Sequence, residues 1–313
     1  MSDASAPWGL VTYRRRGEMA DRAGARLGDG TIVQVPELVP YPGLLAALDD
    51  WDSVVAALAA PEPPTGEPEP DAVVMTPVRY PRKLLGVGAN YASHVEEMHV
   101  TPAPPADHPF FFSVPPTTCV IGPDDAVVMP DDPAAKVDWE VELAVVIGRR
   151  IRQADATAAR AAVAGWTVAN DISARGYMWK NDAPPPFNLD WLQHKGRDTF
   201  FPIGPVMVPS WALPDPHNLR LRLVRNGTVE QKASTSDMLV DSFELVAAAS
   251  RQLTLEPGDI IATGTPAGVG MPRNLFLRPG DELVAEIDGI GALRNRVVAE
   301  SAVATQHSRG GRP

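Results

Sequence analysis

The chain has 313 residues, enough for one large domain with a small one beside it, and its 44% hydrophobic and 21% charged content is that of a globular protein. A formal net charge of −11 argues against nucleic acid or an anionic membrane as a partner, since both need a basic face. An anionic small molecule stays open as a substrate, because a bound cation and a few local Lys or Arg residues reverse the sign inside a pocket.

In chain order, residues 1–60 read as a small N-terminal domain. Leu10 to Tyr13 and Thr31 to Val35 are short strand patterns around the turn Gly28-Asp29-Gly30, and Leu44 to Ala59 is a helix pattern. Residues 61–75 open with five prolines in ten positions, Pro61 to Pro70, the composition of an extended linker without an element of its own. Residues 76–300 form the main domain, rich in β-branched runs broken by Pro and Gly. In it Ala156 to Ala164 and Ser242 to Leu253 read as helices, and Ile260 to Thr263 and Glu282 to Ile287 as strands. Leu219 to Arg225, Asn226-Gly227 and Val229 to Lys232 make a hairpin with the strongest short turn signal. Residues 301–313 are small and polar, a flexible tail. Strands outnumber helices without regular interleaving, which predicts an α+β, β-rich architecture and no doubly wound sheet.

No run of about 18 apolar residues and no basic segment leading an apolar one is present, so neither a membrane span nor a signal peptide is expected. The single cysteine, Cys119, permits no intramolecular disulfide, and a reducing, cytoplasmic location is expected. Its apolar setting, Thr118-Cys119-Val120-Ile121, fits a buried structural thiol better than a nucleophile.

One strand pattern carries chemistry. Val137 to Ile147 alternates: Val137, Trp139, Val141, Leu143, Val145 and Ile147 point one way, and Asp138, Glu140, Glu142, Ala144 and Val146 the other. Glu140 and Glu142 therefore leave the same face, where the onset of Ala144 and Val146 puts them at the border of something buried. Two adjacent carboxylates repel unless one takes a proton or a cation neutralises both. On spacing alone the pair also fits two solvent-facing glutamates on an amphipathic strand. Asp171, ending the apolar run Val168-Ala169-Asn170, adds a third oxygen donor where a chain returning to the sheet would stop. An all-oxygen set suits Mg²⁺ or Mn²⁺, with Ca²⁺ also admissible, and disfavours zinc.

At these residues the sequence resembles the fumarylacetoacetate hydrolase family. The resemblance runs from about Leu84 to Asn295. It is carried by Gly88-Ala89-Asn90-Tyr91-Ala92-Ser93-His94, Asp138-Trp139-Glu140-Val141-Glu142-Leu143, Asn170-Asp171-Ile172-Ser173-Ala174-Arg175, Lys195-Gly196-Arg197-Asp198-Thr199, and the stretch Pro257 to Gly270. Each motif is weak alone; five in order are specific. The resemblance implies a mixed β-roll/β-sandwich catalytic domain behind a small N-terminal domain, a homodimer, and Glu140, Glu142 and Asp171 as ligands of a divalent ion. Family chemistry includes C–C hydrolysis of acylpyruvates, decarboxylation and tautomerisation, all passing through an enolate.

The resemblance also implies roles for further residues. His94, with Glu97 three positions on, matches a His–Glu dyad that activates water; without the family the two would read as a surface pair. Ser93-His94-Val95-Glu96 fits a capping box at a helix start, which would account for Glu96. Lys195 matches the active-site lysine and Thr265 a substrate-contacting threonine; a loop charge and a tight turn are the plain alternatives. Arg175 matches a motif arginine that either touches substrate or forms a structural ion pair. Two positions depart from the pattern: an acidic residue is replaced by Gly176, and a polar substrate contact by Met178. A lysine common in the family is also replaced around Phe112-Ser113-Val114. Together these changes point to a less charged or larger substrate, or to a changed reaction. The segment Ala183 to Pro186 is expected at the mouth of the site and Met98 to His108 as a lid; His99, His108 and His194 receive no role. The leading expectation is hydrolysis of a C–C bond beside a ketone, with a lyase or isomerase on the same site, or a non-catalytic ligand-binding relative, as alternatives.

Overall fold

The computed structural model describes residues 8–60, 62–99, 108–213 and 215–303. A twelve-stranded mixed sheet dominates it. From one edge, its main path runs Glu67–Pro68, Ile32–Gln34, Arg22–Arg26, Gly9–Arg15, Phe201–Pro209, Val163–Asn170, Val141–Ile147, Ile260–Ala262, Leu84–Gly88 and Phe110–Val114. A five-stranded sheet follows the order Thr228–Ser234, Arg220–Arg225, Glu282–Ile287, Gly291–Ala299 and Ala126–Met129. The architecture is a mixed α+β arrangement, β-rich as the sequence pattern predicts.

Why the central strand sits where it does follows from its sequence. Val141, Leu143, Val145 and Ile147 enter one hydrophobic core, shared with Trp139, Trp166, Phe243 and the inward faces of the smaller sheet. Ala144 and Val146 enter a second core on the other face, with Leu44, Leu48 and Trp51 from the N-terminal region. A strand buried on both faces is apolar at nearly every position, as Val141–Ile147 is apart from Glu142.

The N-terminal strands join the large sheet through antiparallel pairing of Gly9–Arg15 with Phe201–Pro209, in register at Leu10 and Met207. The proline-rich stretch is extended, as its composition predicts, but it is not free of elements: Gln34 pairs with Glu67, and Tyr13 to Arg15 pair with Ala72 to Val74. The helix pattern over Leu44 to Ala59 is broken into Leu44–Asp49 and Trp51–Leu58 by Asp50, whose backbone leaves the helical region and whose Oδ2 accepts a hydrogen bond from Tyr41 Oη at 2.7 Å. Arg22–Arg26, with two alanines and a glycine, carries too little strand signal to be read from sequence. At the hairpin, Asn226 and Gly227 both take positive φ, 51° and 80°, the geometry that closes a two-residue turn. Among the described residues no helix is long and apolar enough to cross a membrane. Cys119 is fully buried, and burial, then the charges of Asp198 and Asp171, push its thiol up to about 12.

Candidate active site

The expected continuous strand from Val137 to Ile147 divides into Val137–Asp138 and Val141–Ile147. At the break, side chains replace the ladder. The N–H of Glu140 donates to Asn170 Oδ1 at 3.0 Å and that of Val141 to Gln231 Oε1 at 3.0 Å, while the N–H of Asp171 donates to the carbonyl of Glu140 at 2.9 Å. Two long-range amides, invisible to local periodicity, thus hold Glu140 out of the ladder and beside the end of the strand Val163–Asn170.

This places oxygens of Glu140, Glu142 and Asp171 within 4.8 Å of one another, with all three residues buried. Lys195 Nζ bridges Glu140 Oε2 at 2.6 Å and Asp171 Oδ2 at 2.7 Å. Arg175 Nε donates to Asp138 Oδ1 at 2.8 Å, and its terminal nitrogen donates to Glu140 Oε1. Glu142 Oε2 accepts the N–H of Gly264 at 2.8 Å. Gly264 has φ of +90°, and a Cβ there would lie 2.9 Å from Asn90 Cβ. Asn90 in turn ties two loops, donating to the carbonyls of Val240 at 2.9 Å and Thr263 at 2.8 Å.

The electrostatics follow from this crowding. Burial alone would raise Glu140, but the charges of Lys195 and Arg175 hold it below the usual carboxylate range. Glu142 has no cation in contact among the described residues; burial, then the charges of Asp171 and Glu140, push it well above that range. Asp171 is raised by burial despite Lys195. Asp171 Oδ1 has no hydrogen-bond partner among the described residues. Four buried carboxylates (Asp138, Glu140, Glu142 and Asp171) face two buried cations, Arg175 and Lys195. The deficit of two positive charges, the orphaned Asp171 oxygen and the all-oxygen donor set fit a divalent cation.

His94 lies on the helix Ala92–Glu97, and its Nδ1 meets Glu97 Oε1 at 2.8 Å. Glu97 Oε2 accepts the N–H of Gly268 at 2.9 Å, so the carboxylate is fixed from both sides. The expected capping box at Ser93 does not form. The helix starts two residues earlier, with Tyr91 at the cap position and no side-chain cap, and Ser93 Oγ instead accepts the N–H of Ala267 at 3.3 Å. His94, Glu140, Arg175, Met178, Lys195 and Thr265 line one cavity of about 200 Å³. The Thr265 hydroxyl is committed within the protein: it donates to the carbonyl of Val141 at 2.8 Å and accepts from Gln231 Nε2 at 2.8 Å. Arg175, 9% exposed, is committed to its buried ion pairs although it lines the cavity.

Gly176 has a packing reason. A Cβ at this position would sit 1.7 Å from the carbonyl oxygen of Ala134, so no side chain, acidic or otherwise, fits the backbone as it runs here. Pro184 to Pro186 are exposed, and the segment Ala183 to Pro186 does not line the cavity. Most of the expected lid, residues 100–107, and the tail from residue 304 lie outside the described residues; Met98 lines the cavity.

Sequence reasoning missed the cavity's aromatic wall. Phe112 and Trp191 stack with centroids 5.0 Å apart, and Phe110 lies 5.3 Å and His194 5.5 Å from Trp191. Phe110 and Phe112 share a face of one strand, a period-two signal that was available; Trp191 and His194 reach them from a separate helix, Trp191–Lys195.

Comparison with known proteins agrees with this fold. Residues 83–298 match the model of the fumarylacetoacetate (FAA) hydrolase C-terminal domain. The chain is 41% identical over 233 residues to oxaloacetate tautomerase Fahd2a, mitochondrial, of Rattus norvegicus, covering 74% of this chain and 71% of the relative. Among solved structures, 5-carboxymethyl-2-hydroxymuconate delta-isomerase from Mycobacterium smegmatis superposes with a TM-score of 0.70 at 33% identity, covering 93% of this chain and 99% of that one. Maleylpyruvate hydrolase from Sphingobium sp. SYK-6, in complex with manganese (II) ion and pyruvate, gives a TM-score of 0.73 at 30% identity over 93% and 99% of the two chains. With the match spanning most of the chain and the buried acidic trio in its midst, the chain belongs to the fumarylacetoacetate hydrolase family.

Proposed function

We propose that this protein is a divalent-cation-dependent enzyme that interconverts keto and enol forms of a 2-oxo acid by moving a proton between the carbon next to the ketone and the ketone oxygen. The observation that carries this is the placement of His94, held by Glu97, on the same 200 Å³ cavity as Glu140 and Lys195. A divalent cation held by Glu140, Glu142 and Asp171 supplies Lewis-acid stabilisation of negative charge on the substrate's oxygens. With Nδ1 engaged by Glu97, His94 offers Nε2 to the substrate as a general base. It takes the proton from carbon; the C–H pair becomes the C=C bond and the carbonyl pair moves to oxygen. Glu97 steadies the resulting imidazolium, Lys195 balances the oxyanion, and His94 returns the proton to oxygen to give the enol. The tautomerase and isomerase relatives support this reading.

The second reading, C–C hydrolysis of an acylpyruvate, keeps every residue role except that His94 takes its proton from water. The likeness to maleylpyruvate hydrolase favours it. Proton NMR in deuterium oxide with Mg²⁺ or Mn²⁺ separates the two. Faster loss of the C3 proton of oxaloacetate or an acylpyruvate, with no pyruvate released, is the expected result. Release of pyruvate from the acylpyruvate assigns hydrolysis, and no acceleration of either event would sink both readings.

A further inference from the structure

We infer that the group beyond the 2-oxo acid head of the substrate is uncharged and apolar, a flat aromatic or branched aliphatic substituent seated on Phe110, Phe112, Met178 and Trp191. This inference rests on the proposed reading of the site as one for 2-oxo acids. It starts from how the cavity's polar groups are spent. Lys195 and Arg175 line the cavity, yet Arg175 is bound to Asp138 and Glu140, and Lys195, bound to Glu140 and Asp171, keeps one N–H, which serves the oxyanion of the 2-oxo acid head. The Thr265 hydroxyl both donates and accepts within the protein, and His94 is held by Glu97. No cation lining the cavity is left, among the described residues, for a second carboxylate on the substrate. A carboxylate taken out of water without such a partner is strongly disfavoured.

The remaining wall is apolar. Phe112 and Trp191 stack with planes 19° apart, and Phe110 and Met178 extend the surface around them. Flat apolar groups pack on such a surface by offset or edge-on contact. His194 joins Trp191 at 5.5 Å with 1% exposure, and neither of its ring nitrogens has a hydrogen-bond partner among the described residues. Burial, then the charges of Lys195 and Arg175, hold its imidazole down at about 2, so it presents a neutral ring to the cavity it lines. A neutral ring offers a substrate hydroxyl or carbonyl one hydrogen bond and gives a carboxylate no counter-charge.

Phenylpyruvate and oxaloacetate isolate the question, because they share the 2-oxo acid head and an enolisable carbon and differ in carrying phenyl or carboxylate beyond it. Ultraviolet absorbance follows their enol forms. With Mg²⁺ present, kcat/KM for phenylpyruvate is expected to exceed that for oxaloacetate by at least about tenfold, and Trp191→Ala is expected to shrink the ratio. Equal rates, a preference for oxaloacetate, or a ratio unmoved in folded Trp191→Ala protein would overturn the inference and leave the tautomerase reading standing. If neither acid is turned over, the tautomerase reading falls, and calorimetry of both acids with the Mg²⁺-supplemented protein decides the inference separately. Tighter phenylpyruvate binding supports it; tighter oxaloacetate, or no binding of either, overturns it.

Discussion

The ammonium of Lys195 lies 2.7 Å from Asp171 Oδ2 and, through a second contact of 2.6 Å, also holds Glu140. Burial alone would lower this lysine, but the charges of Asp171 and Glu140 outweigh it and keep Lys195 cationic. Lysine and trio are therefore parts of one electrostatic cluster in which the lysine offsets part of the carboxylate charge. Lys195→Met is expected to destabilise the protein by about 3–5 kcal/mol, the cost of leaving buried carboxylates uncompensated. Thermal melts should show that Mg²⁺ or Mn²⁺ restores more stability to this variant than to the unaltered protein. An equal metal-induced shift in both would contradict the shared cluster.

Removing the base should cost rate without unfolding the protein. His94→Ala is expected to lower kcat by about 10²–10⁴. Glu97→Gln loses the charge and one acceptor: with its oxygen on the Gly268 N–H, its amide nitrogen donates to His94 Nδ1 and leaves the ring proton on Nε2, so it too should lower kcat by a large factor. If both variants turned over 2-oxo acids at the normal rate, the base would have to be sought elsewhere in the cavity.

The buried imidazole of His194 gives a pH dependence of definite sign. Its folded value, about 2, lies below the ordinary 6.5, so the unfolded chain binds the proton first as pH falls. Its contribution to stability is complete above about pH 6.5 and declines below it, by up to about 1.4 kcal/mol per pH unit. Lys195 and Arg175 reinforce this and Glu140 opposes it. Urea melts between pH 7 and 5 should show His194→Leu losing less stability on acidification than the unaltered protein; parallel curves would count against a neutral buried ring.

At Gly176 the carbonyl of Ala134 occupies the place of a Cβ, so Gly176→Ala forces the backbone to move. A loss of about 1–3 kcal/mol is expected in a denaturant titration. An undiminished midpoint would show that the two segments separate freely.

Much of the site was legible because its spacing is local. Two-residue parity put Glu140 and Glu142 on one face, three-residue spacing paired His94 with Glu97, and Asn226-Gly227 announced its hairpin. What was not legible depends on distant partners. The strand break at Glu140 is stabilised by Asn170 and Gln231, residues 30 and 90 positions away. Whether Arg175 faces substrate or carboxylates was undecidable without knowing that Asp138 and Glu140 flank it. The aromatic wall unites Phe110 and Phe112 with Trp191 across strand and helix, and no window of sequence contains both. Asp50 looked like one polar position in a helix, yet its backbone and its bond to Tyr41 divide that helix in two.

The central claim is that Glu140, Glu142 and Asp171 hold a divalent cation on which 2-oxo acid turnover depends. The most direct measurement is the rate of keto–enol conversion of a 2-oxo acid with Mg²⁺, with chelator, and with Mg²⁺ in Glu142→Gln protein shown to be folded. Conversion that requires the ion and is lost in the variant is the predicted result. Conversion that persists in chelator, or in Glu142→Gln at the unaltered rate, would contradict the account.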